Sequence, residues 1–113
     1  MSNYRPDDKF DATGIFQVAR AHRHKFLPGF EQWLVDNWHV WARFHEEANR
    51  IWARGRNHYS ARTIIEYIRH ETMIAEKGGL FKINDHNTPD LARLYLIVYP
   101  ERSGFFSLRD TPR

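Results

Sequence analysis

The sequence predicts a mainly helical α+β domain, in which a body of about four helices carries a small two-stranded β element near the C-terminus. Between residues 30 and 75, apolar side chains recur at spacings of three and four, which is the period of one helix face. Glycine and proline interrupt this pattern at intervals and predict where helices end. The alternating segment LFKIN at residues 80–84 is typical of a short strand.

The chain of 113 residues has the common length of one domain with one hydrophobic core. Residues 1–10 are polar and lack an apolar period, so we interpret them as a flexible N-terminal lead. Residues 11–113 are then expected to form a single compact domain. A short first helix between residues 11 and 26 is predicted by its apolar residues, which are Ile15, Phe16, Val18 and Ala19.

The region from Phe30 to Arg54 is predicted to form the core-building helices. Asp36 and Asn37 are favourable N-cap residues, so we expect one helix to end and a longer one to begin there, with Gly55 as its terminating residue. The buried stripe of this region is predicted to contain Phe30, Trp33, Leu34, Asn37, Trp41, Phe44, Ala48, Ile51 and Trp52.

The following helix is expected to begin after the N-cap Ser60 and to reach about Ala75, before the glycines at 78 and 79. Its predicted buried stripe contains Ala61, Ile64, Ile65, Ile68 and Thr72. A last helix is predicted to start at Thr88-Pro89-Asp90 and to end at Pro100. Residues 104–109 (GFFSLR) are predicted to be a strand that pairs with LFKIN, with Phe105 and Phe106 either in the core or on an exposed edge.

Composition narrows the class of protein. The absence of cysteine excludes disulfides and thiol chemistry, which fits a reducing compartment such as the cytoplasm. No run of about 20 apolar residues is present to span a bilayer, so no membrane association is expected. The net charge is +3, with thirteen arginines against four lysines, and arginine makes forked contacts to phosphates and carboxylates. This composition favours an anionic partner, although arginine-rich usage also occurs on ordinary solvated surfaces.

The strongest local signal is an arginine-rich stretch without carboxylates, between residues 48 and 65. Together with the N-terminus of the helix after Ser60, this stretch suits a phosphate or another anion. The ordinary alternative is a solvated face in which Glu66 and Glu71 pair with neighbouring arginines. The predicted anion-binding or nucleic-acid-binding residues are Arg54, Arg56, His58, Arg62 and Arg69, with Arg20, Arg23 and Lys25 as a second basic cluster.

The seven histidines suggest a metal-dependent nuclease as one alternative, but their spacing does not match the paired-histidine zinc motif. Such a site would need several separated residues to converge, and the run at 84–87 fits turn chemistry equally well. We therefore predict no metal, no cofactor and no catalytic residues. The residues that would build the nuclease site are His58, Glu71, Asp85, His86 and Asn87.

Several motifs together carry a family resemblance: NxHVW from residue 37, GxxxYSARxIIxxIRxxT from residue 55, FKIN from residue 81 and PExxGFF from residue 100. In order and spacing, residues 30–109 resemble a family of small phage and prophage proteins. The resemblance implies a phage-type origin and action in the host cytoplasm, and it carries no activity with it. Trp38 stands where relatives carry proline, which makes it the candidate for a chain-specific protein contact.

The sequence therefore predicts a small basic phage-type protein that binds an anionic partner, foremost nucleic acid, through an arginine-rich helix face. One alternative is an anti-defence inhibitor that binds a host or defence protein through the same arginines, with Trp38 as an apolar anchor. The other alternative is the His/Asn nuclease. The oligomeric state is not predicted.

Overall fold

The computed structural model describes residues 10–75 and 87–107, which form a helical fold. The described residues contain five α-helices: α1 (Ala12–Ala21), α2 (Phe30–Asp36), α3 (Trp38–Ala53), α4 (Ala61–Ala75) and α5 (Asn87–Val98). Two short 3₁₀ helices span Arg23–Lys25 and Pro100–Arg102. Residues 1–9 of the lead predicted at residues 1–10, the glycine pair at 78 and 79 and the LFKIN segment lie outside the described residues.

The predicted break before the long helix is confirmed, because α2 ends at Asp36 and α3 begins at Trp38. The described residues thus contain one helix more than the approximately four predicted. Asn37 separates α2 from α3, but its side chain does not cap α3. Its Nδ2 instead donates a 2.9 Å hydrogen bond to the carbonyl of Trp33, which closes the end of α2. Gly55 follows the end of α3 with φ of +91°, a conformation that glycine adopts without steric cost.

The start of α4 also agrees with the sequence. The hydroxyl of Ser60 accepts a 3.1 Å hydrogen bond from the backbone N–H of Thr63, as expected of an N-cap. Asp11 caps α1 in the same way, by accepting from the N–H of Gly14 at 2.9 Å. Both caps satisfy backbone donors that have no partner within the helix.

Helix α5 lies at the centre of the fold and packs against α1, α3 and α4. Residues 91–95 are all buried, so this helix is surrounded on every side rather than amphipathic. The other helices turn one apolar face toward it. Their buried residues include Ile15, Ala19, Phe30, Leu34, Val40, Trp41, Phe44, Ala48, Ile64, Ile65 and Ile68.

The predicted two-stranded β element is wrong, because the described residues contain no strand. Gly104 forms a turn with φ of +93° after the second 3₁₀ helix, and the chain then folds back into the core. Phe105 and Phe106 are 0% and 2% exposed, and the Phe106 ring lies 5.4 Å from that of Phe44. In a strand, successive side chains point to opposite faces, whereas here two successive rings enter one core.

Candidate functional site

Helices α3 and α4 form an antiparallel helical hairpin. At one end, Nη2 of Arg43 lies 2.6 Å from Oε1 of Glu71. At the other end, Arg54 closes α3 and Ser60 begins α4, so residues 54–60 form the connecting loop. The arginine-rich stretch predicted from the sequence is therefore the tip of this hairpin.

A cleft of about 340 Å³ lies between the two helices near this tip. Its volume falls in the range of small-ligand sites, about 300–1,000 Å³. Residues at helical spacing from each helix supply its walls, and Tyr59 of the loop completes it. The lining residues are Glu47, Arg50, Ile51, Arg54, Tyr59, Thr63, Ile64 and Tyr67.

The inner part of the cleft is electrostatically compensated. Glu47 is buried, and its Oε2 accepts hydrogen bonds from Arg43 at 3.1 Å and from Arg50 at 2.8 Å. Burial alone would lower the pKa of Arg43, but its hydrogen bonds to Glu71 and Glu47 outweigh this and raise that pKa above its ordinary value. Arg43 therefore stays charged and ties α3 to α4.

The hairpin tip carries uncompensated positive charge, and of its unpaired arginines Arg54 lines the cleft. Arg54 and Arg62 are exposed, and neither makes an ion pair or a hydrogen bond through its side chain within the described residues. Arg56 is also exposed, and its guanidinium lies 5.7 Å from the centre of the Tyr59 ring. A guanidinium over a ring face keeps its hydrogen-bond donors available at the rim.

The other predicted cations have acidic partners, with one exception. Arg69 pairs with Glu66 at 3.2 Å, one of the pairs expected from a solvated face. Arg20 and Arg23 share the carboxylate of Glu31, at 3.5 and 3.1 Å. The exception is Lys25, which is exposed and has no partner in the described part of the chain. Glu71 pairs with Arg43 instead of with a neighbour on its own helix, a contact that the sequence analysis did not predict.

The structure does not place all four arginines of the hairpin on one surface. Tyr67 lines the cleft, and at about 100° per helical residue Arg62 and Arg69 lie roughly 140–160° around α4 from it. Arg54 faces the cleft, whereas Arg62 and Arg69 lie on the flank of α4 turned away from α3. The cluster at residues 20–25 belongs to a different helix pair, because α1 packs mainly against α2 and α5.

The residues of the nuclease alternative do not converge where the structure describes them. Nδ1 of His58 lies 3.0 Å from the carbonyl oxygen of Gly104, to which it donates. Glu71 lies about 15 Å further along α4 from the helix start, at 1.5 Å per residue. Asp85 and His86 lie outside the described residues. Within the described ranges, no group of three or more acidic or histidine side chains could hold a metal ion.

Trp38, the predicted protein contact, is half-buried. Its ring meets the ring of Phe16 edge to face, with centres 5.2 Å apart. The first turn of α3 thereby packs on α1. This contact occupies part of the surface that a protein partner would need.

A polar network that the sequence pattern did not predict joins α3, α5 and the second 3₁₀ helix. Oδ1 of Asn49 accepts from the Tyr95 hydroxyl at 2.6 Å and from Nη1 of Arg102 at 2.8 Å. Nε2 of His45 lies 2.6 Å from the Tyr99 hydroxyl, and the Tyr99 ring lies 4.2 Å from the Arg102 guanidinium. In the sequence, His45 and Asn49 are four residues apart, as are Tyr95 and Tyr99. This spacing alone does not reveal hydrogen-bond partners 46 to 54 residues away. The network is buried apart from Arg102, which is part-buried, and it acts as a structural tie.

Comparisons with protein-family models, with curated proteins and with solved structures gave no match. The resemblance to phage and prophage proteins therefore stays a prediction. Among the helices of the described ranges, none combines the length and the apolar character needed to cross a membrane. The fold and the candidate site define a class of small helical protein. In it, a helical hairpin carries arginines at its tip and encloses a cleft between its two helices.

Proposed function

We propose that this protein binds nucleic acid through the α3–α4 hairpin, with Arg54, Arg56 and Arg62 contacting phosphates. One observation carries the proposal. Within the described residues, these three are the arginines that lack both a carboxylate partner and a hydrogen-bond partner for the side chain. The remaining described arginines are engaged: Arg20, Arg23, Arg43, Arg50, Arg69 and Arg93 pair with carboxylates, and Arg102 binds Asn49 and Tyr95.

This distinction matters for binding energy. An arginine that already pairs with a carboxylate must give up that contact before it binds a phosphate, so it contributes little to the binding free energy. An unpaired, exposed arginine exchanges only water and counterions, and counterion release drives the binding of proteins to nucleic acid. No carboxylate occurs between residues 48 and 65 to compete at the hairpin tip. The geometry thus supports a smaller set of phosphate contacts than the sequence suggested.

Arg69 has a weaker claim than the sequence suggested, because Glu66 is already its partner. The inhibitor alternative depends on the same arginines and on Trp38 as an anchor. Since the Trp38 ring packs against Phe16, no separate observation favours that alternative.

The test is a fluorescence anisotropy titration with labelled oligonucleotides over a range of salt concentrations. With three phosphate contacts, the logarithm of the association constant should fall with the logarithm of salt concentration with a slope of about −2 on a single strand. The variant Arg54→Gln/Arg56→Gln should bind more weakly and reduce this slope by about 1.4.

The matched control is Arg20→Gln/Arg23→Gln, which removes the same charge from arginines that share Glu31. This variant should retain most of the affinity. Absence of binding at low salt, or an equal loss in both double variants, would contradict the proposal.

A further inference from the structure

We propose that the nucleic acid bound by the hairpin is single-stranded, and that one unpaired base enters the cleft and stacks on the ring of Tyr67. This inference rests on the proposed function and adds the form of the ligand and a recognition residue. It is carried by the position of an open aromatic ring inside the same cleft that the unpaired Arg54 lines.

Tyr67 is half-exposed, at 50%, in the middle of α4. It lines the cleft together with Arg54 and Tyr59. Within the described residues, no other ring stacks on Tyr67, and its side chain has no hydrogen-bond partner. Tyr59 differs, because the guanidinium of Arg56 lies against its ring. Tyr67 is therefore the aromatic side chain of the cleft whose ring face is open.

The shape of the cleft favours a base over a duplex. Ile51 and Ile64 supply apolar surface beside Tyr67, and the ion pair between Arg43 and Glu71 links the helices beyond the inner end. A cleft of about 340 Å³ can take one flat base but not a double helix. In a duplex the bases are already stacked on each other, so their faces are not offered to a protein side chain.

The charges fit the same arrangement. A base on Tyr67 would place its sugar-phosphate chain toward the open end of the cleft, where Arg54 and Arg56 carry uncompensated charge. Aromatic stacking with neighbouring cationic contacts is the usual way in which proteins hold single strands without reading their sequence. The predicted ligand is therefore an unpaired strand of either sugar type.

The experiment compares oligothymidine, oligouridine and a mixed-sequence duplex of the same length, by anisotropy at one low salt concentration. Both single strands should bind more tightly than the duplex. Tyr67→Ala should weaken single-strand binding about tenfold, whereas Tyr67→Phe, which keeps the ring, should bind like the wild type. Phe10→Ala is the control for loss of an exposed aromatic residue elsewhere, and circular dichroism checks that each variant is folded.

The outcomes separate this inference from the proposed function. Equal binding of duplex and single strands, or a Tyr67→Ala variant with unchanged affinity, would overturn the stacking inference and leave the arginine-dependent binding in place. If no oligonucleotide binds at all, both proposals fail. If only one of the two homopolymers shows the Tyr67 dependence, the inference holds for that strand.

Discussion

The backbone N–H of Tyr59 donates a 2.8 Å hydrogen bond to the carbonyl of Phe105, which lies 46 residues further along the chain. Beside it, Nδ1 of His58 donates to the carbonyl of Gly104 at 3.0 Å. The hairpin loop that carries Arg54 and Arg56 is therefore held by the turn that follows the second 3₁₀ helix. A loop held in place loses less conformational freedom when it binds a ligand.

We predict that Gly104→Ala weakens both the fold and the binding of oligonucleotides. A Cβ atom at this position would meet nothing within 4 Å, so the cost comes from the backbone, which has φ of +93°. For a residue other than glycine, this conformation costs about 1–2 kcal/mol. Urea unfolding followed by circular dichroism measures the change, with the neighbouring Ser103→Ala as control. Unchanged stability in Gly104→Ala would show that the turn does not constrain the loop.

Substitutions at the N-cap of α4 should affect the stability of the fold and the binding of oligonucleotides differently. Ser60→Ala removes the acceptor for the N–H of Thr63 and should lower the free energy of unfolding by about 1 kcal/mol. Ser60→Asp restores an acceptor and should recover that stability. Its carboxylate, however, lies near Arg56 and Arg62 along the chain, so oligonucleotide binding should fall. Equal binding by Ser60→Asp and the wild type would argue against phosphate contacts at this helix start.

The helix boundaries were predictable because they depend on local chemistry. The Ser60 cap, the terminating Gly55 and the apolar spacing of α3 and α4 are all properties of neighbouring residues. The strand predicted at residues 104–109 was wrong because adjacent apolar residues fit a short strand and equally fit a turn that places two adjacent rings in one core. Phe105 and Phe106 are positioned by contacts to residues distant in sequence, such as Phe44.

The positive charge of the candidate site could be predicted from the sequence, but the positions of its residues relative to one another could not. The stretch without carboxylates between residues 48 and 65 contains Arg54, Arg56 and Arg62, but it also contains Arg50, which the structure pairs with Glu47. The pairing of Arg43 with Glu71 depends on how two helices dock, and sequence spacing does not report it. For the same reason the proposed role of Tyr67 could not be predicted, since only the docked helices create a cleft around it.

The ion pairs between and within α3 and α4 should contribute differently to the free energy of unfolding, according to their burial. Glu47→Gln weakens the contacts that a buried carboxylate makes to two arginines. It should lower the free energy of unfolding by about 2 kcal/mol, a value between those of exposed and buried ion pairs. Glu71→Gln, at a more exposed pair with Arg43, should cost about 1 kcal/mol.

Glu66→Gln is the control, because its pair with Arg69 is exposed and should contribute under about 0.5 kcal/mol. Since the pKa of Arg43 is raised, its contribution to stability is fully present below the ordinary arginine pKa and is lost only at more alkaline pH. The series is therefore measured by urea unfolding at neutral pH. A cost for Glu66→Gln as large as that for Glu47→Gln would contradict the ranking by burial.

The buried network around Asn49 should be the most sensitive polar position of the fold. Asn49→Ala removes the acceptor used by the Tyr95 hydroxyl and by Arg102. Because a neutral donor and a charged donor then lose this partner in the interior, the free energy of unfolding should fall by about 3 kcal/mol. Asn49→Asp keeps the acceptor and loses the Nδ2 contacts to His45 and Tyr99, so its cost should be smaller. The control is Asn57→Ala in the exposed loop, which should change stability by less than about 0.5 kcal/mol. Urea unfolding with near-ultraviolet circular dichroism tests the ranking, and a cost for Asn49→Ala no larger than that for Asn57→Ala would show that this network does not hold α3, α5 and the second 3₁₀ helix together.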